Sequence, residues 1–193
     1  MPTPSAFALT LARVAQEQHN KFQFTNEADP FLCKQIKKWT IDIGFRFTSC
    51  TQVPWSAVFI SWCVKQAGAT KTEFKFAMSH SVFVNQAIKN AIKGTGVFQG
   101  FNITEKTPAI GDIIQNNRRG NTFNFDFASR NSQYESHSVI VVETGRDARG
   151  GFAFCIGGNE QDAVRRSVVR LDDKGFIKQR TGNSFIAVVK NLK

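Results

Sequence analysis

The chain has 193 residues, 41% hydrophobic and 21% charged, which suits one globular domain with its own core and excludes a disordered chain. Lys and Arg number 25 against 15 Asp and Glu, a net charge of +10, so a polyanionic partner (nucleic acid, anionic membrane or bacterial wall polymer) is favoured by the field. The basic residues are scattered through "KQIKKW", "NNRRGN" and "AVRRSVVR" without a zinc-finger, basic-zipper or RNA-recognition signature, which argues against nucleic acid, and no apolar run approaches the ~18 residues of a membrane span.

The N-terminal "MPTPSAFALTLARVAQEQ" lacks a basic n-region and a clean cleavage site, so no signal peptide is expected. Cytoplasmic synthesis follows, with phage lysis or a secretion system carrying the protein to the periplasm or wall if it acts there. Residues 5–18 space Phe7, Leu11, Val14 and Ala15 as a helix, after Pro2 and Pro4 and with Ser5 as cap. A second helix is expected over 28–44, capped by Asp29 with Pro30 at its first position and with Phe31, Ile36, Trp39 and Ile43 on its face. The third, over 56–67, repeats Trp55, Phe59, Trp62 and then Cys63 or Gln66, and Gly68 ends it. A fourth runs from Ser81 to Lys93 and stops at Gly94.

"TPAIGDIIQ" marks a turn and a strand from Asp112. The polar stretch 116–136, "NNRRGNTFNFDFASRNSQYES", reads as an inserted loop with a short hairpin in "NTFNFDF"; a long loop of this kind is either a binding element or a tolerated insertion. Four strands follow at 137–144, 151–158, 167–172 and 185–192, with turns at "GRDARG", "DDKG" and "RTGN". Helices first and an antiparallel sheet afterwards give an α+β fold in a single domain, 1–193, with a helical part at 1–50. The cysteines, Cys33, Cys50, Cys63 and Cys155, are widely spread with no CxxC. That pattern argues against structural zinc and gives only weak support to a disulfide framework, so a reduced protein without metal or other cofactor is expected.

Three positions carry chemistry. Ser56 starts an apolar helix, where backbone N–H groups and the helix dipole favour a developing anion; it is either a cap or a nucleophile beside an oxyanion site. His137 opens the first strong strand. A hairpin centred between Asp147 and Ala148 would set His137 opposite Gly158 and near Asn159, whose amide oxygen could accept from the imidazole N–H and hold its tautomer. A one-residue slip would change which side chains share a face.

"PWSAVFISWCVKQAG", "TPAIGDII", "HSVIVVE" and "IGGNEQDAV" resemble, in order and spacing, the papain-like cell-wall hydrolases of the NlpC and CHAP group, over about residues 53–190. Within that group the likeness is to a bacterial family of uncharacterised function with serine after the tryptophan, matched also by "SHSVFVNQAI". The resemblance implies a papain-like fold in which Ser56 stands at the nucleophile, His137 at the base and Asn159 at the orienting residue. Trp55, His80 and Gly158 would line the cleft, and Asp112 would hold a turn. It implies a substrate in bacterial peptidoglycan, cut by an amidase or endopeptidase, or else an inactive scaffold binding wall glycan or a protein partner such as an immunity, delivery or phage component. Serine departs from the group's cysteine: a hydroxyl needs a well-placed base where a thiol is already partly ionised. Cys63, two turns further along the helix, and Cys155, in the strand before "GGN", read as core residues.

Overall fold

The computed structural model describes residues 3–52 and 54–193. Val53, where the resembling stretch begins, and Pro2 lie outside the described residues. Four helices lead the chain: α1 (Ala6–Phe22), α2 (Pro30–Asp42), α3 (Ser56–Gln66) and α4 (His80–Lys93). Strands β1 (Phe98–Asn102) and β2 (Ile113–Asn117) come next, then a short helix α5 (Phe125–Arg130). The chain ends in β3 (Ser136–Asp147), β4 (Gly150–Glu160), β5 (Ala163–Leu171) and β6 (Phe185–Asn191). The six strands form one antiparallel sheet in the order β1-β6-β2-β3-β4-β5, so the fold is α+β. No helix among the described residues is long and apolar enough to cross a membrane.

The expected helix signals are used. Ser5 accepts from Ala8 N–H at 3.1 Å and Asp29 from Phe31 N–H at 2.8 Å, each satisfying a donor that a helix start leaves over. Gly94 closes α4 in the left-handed conformation, which glycine reaches without steric cost. Two expectations are corrected. Ile36, Trp39 and Ile43 are buried as expected, but Phe31 is 53% exposed and Leu32 takes its place on the buried face of α2. In α3 every residue from Ser56 to Val64 is buried; helices, loop and sheet cover it on all sides, as a uniformly apolar helix requires.

Strand alternation builds two cores. Ile113, Ile140, Ile156, Ala187 and Val189 face the helices and join Trp39, Trp55, Phe59 and Trp62. The Trp39 ring centroid lies 5.5–5.8 Å from each of the other three, the spacing of favourable aromatic contacts. Ile114, Val139, Val141, Cys155 and Val188 face the other way, beneath Ile177 from the segment before β6 and Phe185 at the start of β6. Period-two alternation therefore assigns His137, in step with Val139 and Val141, to the face away from the helices, and Ser138 to the helical side.

The stretch 116–136 is not a plain loop, and its "NTFNFDF" segment is not a hairpin: Asn124 caps α5 by accepting from Phe127 N–H at 2.9 Å. Phe123 stacks on Phe127 at 4.5 Å and meets Tyr134 edge-on at 5.2 Å. Helix α4 holds the insertion down, Asn85 donating to the Ala128 and Ser129 carbonyls and Ser81 to that of Ser132, all at 2.9 Å. The expectation of wholly reduced cysteines is also corrected. Cys33 on α2 is bonded to Cys50 in the loop before α3, Cα atoms 5.5 Å apart, while Cys63 and Cys155 are free and buried.

Candidate active site at two helix starts

Ser56 is the first residue of α3 and His80 the first of α4. Their side chains meet, Ser56 Oγ to His80 Nε2 being 2.7 Å. Neither helix has a side-chain cap, so Ser56 does not act as the cap considered from sequence; Trp55 holds that position. The two helix starts lie close together, and the positive end of each helix dipole favours negative charge there.

His80 is held neutral. Burial pushes its pKa well below the ordinary 6.5, and the nearby His137 and Arg118 push in the same direction. The dipole of its own helix adds to this, since a cation at a helix N-terminus is disfavoured. A neutral imidazole is the form that can accept the serine proton. His80 Nδ1 is buried without a hydrogen-bond partner among the described residues.

His137 makes no hydrogen bond to Ser56; His80 takes that place, and the His137 ring stands edge-on to His80, centroids 5.3 Å apart. Its Nε2 pairs with Glu160 Oε1 at 3.0 Å, so Glu160, not Asn159, is its carboxyl or amide neighbour. The reason is local. β4 and β5 lose register between Gly157 and Glu160, Asn159 enters the left-handed region at φ 56°, and the shift brings Glu160 back to the imidazole. Gly157 leaves the room: a Cβ there would sit 3.0 Å from His137 Nε2 and 2.4 Å from Glu160 Oε1. Glu160 directly follows "GGN", and its acidity was the one sequence signal that could have marked it.

The expected residues therefore divide between two hollows. One, about 380 Å³, is lined by Ser56, His80, Ser79, Tyr134 and Glu135 among others; the second, about 290 Å³, by His137, Asn159, Glu160 and Arg180; Arg118 belongs to both. Ser56, His80 and His137 are only 2%, 4% and 8% exposed, so a ligand reaches them through the floors of these hollows. The insertion supplies wall residues to the first, with Tyr134 fixed by Gln115 at 3.0 Å and its hydroxyl pKa pushed up to about 12 by burial.

Trp55 and Gly158 line neither hollow, which corrects their expected place. They are the contact beneath: a Cβ on Gly158 would lie 2.7 Å from the Trp55 ring and 2.6 Å from Phe59 Cβ, and Trp55 Nε1 donates to Glu27 at 2.8 Å. Asp112 holds its turn, accepting from Ala109 N–H at 2.7 Å and Asn191 N–H at 2.9 Å and pairing with Lys190. Burial raises the thiol pKa of Cys63 and Cys155 far above neutrality, so neither is a nucleophile. Among the described residues no group of three or more His, Cys, Asp or Glu could hold a metal ion.

Residues 35–189 match the family described as "Uncharacterized protein conserved in bacteria (DUF2272)". No curated protein and no solved structure matches the chain.

Proposed function

The chain belongs to this bacterial family, and we propose that it is a serine-dependent amide hydrolase acting on bacterial peptidoglycan, with Ser56 as nucleophile and His80 as base. The observation that carries the reading is the 2.7 Å contact between Ser56 Oγ and a neutral His80 Nε2 at two converging helix starts. Ser56 Oγ attacks the carbonyl carbon of the amide while its proton passes to His80 Nε2. The oxyanion is received by N–H groups of the first turn of α3. The C–N bond then breaks, and His80 returns the proton to the leaving amine. Water repeats the sequence on the acyl-serine, giving the acid and free Ser56.

The papain-like reading belongs to the same proposal. It is supported by a nucleophile-bearing helix packed across a strand at Gly158, by a histidine near the start of β3, and by a polar residue at the end of β4. In this form of the site His137 and Glu160 are positioning residues: the His137 ring, held by Glu160, stands edge-on against His80. The excess of positive charge suits an anionic wall.

A second reading has its own support. The depth of Ser56 and the unpartnered His80 Nδ1 suit a scaffold that has lost its chemistry and binds wall glycan or a protein partner. Digestion of purified peptidoglycan separates the two. Fragments released by the wild type and lost in Ser56→Ala and His80→Ala establish the hydrolase, and their masses name the bond. A folded wild type that releases nothing from several wall types, yet sediments with them, establishes the binder.

A further inference from the structure

We propose that the hollow beside His137 is a carboxylate subsite, in which Arg118 and Arg180 hold the free carboxylate of a short peptide. The proposal deepens the hydrolase reading and rests on it only for what happens at Ser56.

Both cations are available. Arg118 follows the last residue of β2 and lines both hollows. The ion pairs among the described residues use neither it nor Arg180, while the adjacent Arg119 is taken by Glu135 at 3.1 Å. Arg180 is pinned and feels the charge of Glu160 without forming an ion pair with it. Its guanidinium carbon lies 4.4 Å from the Phe185 ring centroid, and its Nε donates to the Asn183 carbonyl at 3.1 Å. That leaves the terminal nitrogens of a pre-oriented fork, the geometry that takes a carboxylate through two parallel bonds.

The rest of the hollow fits the same ligand. Glu160 is the acidic residue of its lining and is occupied by His137, so the two guanidinium groups leave a net positive charge. Val139 and Val169 form an aliphatic floor suited to a small apolar side chain next to the carboxylate, which a bare phosphate would not use. The volume of about 290 Å³ stands near the lower end of ligand pockets, roughly 300 to 1,000 Å³, and accommodates one or two residues of peptide. Around the rim Asn159, Gln161 and Asn183 have positive φ, a cost that non-glycine residues carry where the surrounding structure fixes a shape.

The test uses the full chain carrying Ser56→Ala, which reads binding without turnover. Acetyl-alanyl-alanine as the free acid and as its C-terminal amide are titrated by calorimetry at low salt. The acid is expected to bind at least about tenfold more tightly than the amide. Arg118→Gln and Arg180→Gln, each with an unchanged melting temperature, are expected to bring that ratio towards one, and Arg180→Lys to retain part of it. Equal binding of acid and amide, no binding of either at millimolar concentration, or a preference that survives both glutamine substitutions overturns the subsite. A wild type that prefers the acid yet cleaves no peptidoglycan removes the hydrolase and leaves the subsite standing.

Discussion

The Ser56 hydroxyl lies 2.7 Å from His80 Nε2, while the other histidine of the site, His137, stands behind His80 and is paired with Glu160. In the proposed hydrolase the proton path from serine therefore runs into α4 and not into β3. Ser56→Ala and His80→Ala are each expected to lower peptidoglycan hydrolysis by about 10²–10⁴-fold. Asn159→Ala, which removes no hydrogen bond to either histidine, is expected to stay within a few-fold. Rates from released fragments, measured on variants whose melting temperatures match the wild type, check this ordering.

His80 must be neutral to accept a proton, and its pKa lies well below 6.5. Activity is therefore expected to hold as pH falls through 6.5 and to decline only at more acidic pH. The same depression links to stability. The unfolded chain takes up a proton at His80 near pH 6.5 and the folded chain does not, so the contribution is complete above pH 6.5 and is lost progressively as pH falls from there towards the folded pKa. A pH–rate profile locates the acid limb, and denaturant midpoints of wild type and His80→Gln over the same range isolate the linkage.

Gly158 is the point where β4 touches the first turn of α3. An added Cβ meets Phe59 Cβ and the Trp55 ring at 2.6 and 2.7 Å, neither of which can yield within a packed core. Gly158→Ala is expected to cost about 1–3 kcal/mol, a fall in melting temperature of roughly 2–12 °C for a chain of this size. Gly157→Ala meets the mobile end of Glu160 instead, so it is expected to disturb the His137 pair more than the melting temperature. Calorimetric melts of the two variants, with the histidine ring signals followed by NMR, distinguish the two outcomes.

The Cys33–Cys50 bond ties α2 to the loop that leads into Ser56, across a sequence separation of 17. A loop of that length contributes about 3 kcal/mol in the chain-entropy description, so the Cys33→Ala, Cys50→Ala double variant is expected to melt roughly 6–12 °C lower. Alkylation of the denatured protein is expected to label two thiols, Cys63 and Cys155, and all four cysteines after reduction. Four labelled thiols without reductant would remove the bond.

The sequence by itself determined most of the elements, but not β1, which it left unread, nor α5, which it read as a hairpin. The caps at Ser5 and Asp29, the stop at Gly94, the apolar helix after Ser56 and the run of C-terminal strands all follow from local chemistry: capping oxygens, glycine at positive φ, and hydrophobic period. It also marked Ser56, His137 and Asn159 as the residues with chemistry to offer, and left His80 as a residue lining the cleft. Which histidine meets the serine was decided by tertiary structure. Strand alternation sends His137 to the face away from the helices, and the start of α4 carries His80 to Ser56 from residues far off in sequence. The exchange of Glu160 for Asn159 has the same origin, because a register shift of β4 against β5 has no local sequence signature. Likewise, the order of α5 depends on Asn85 and Ser81 of α4, and the pairing of Cys33 with Cys50 on how α2 packs beside the loop before α3. Short-range propensities carry no information about such long-range contacts.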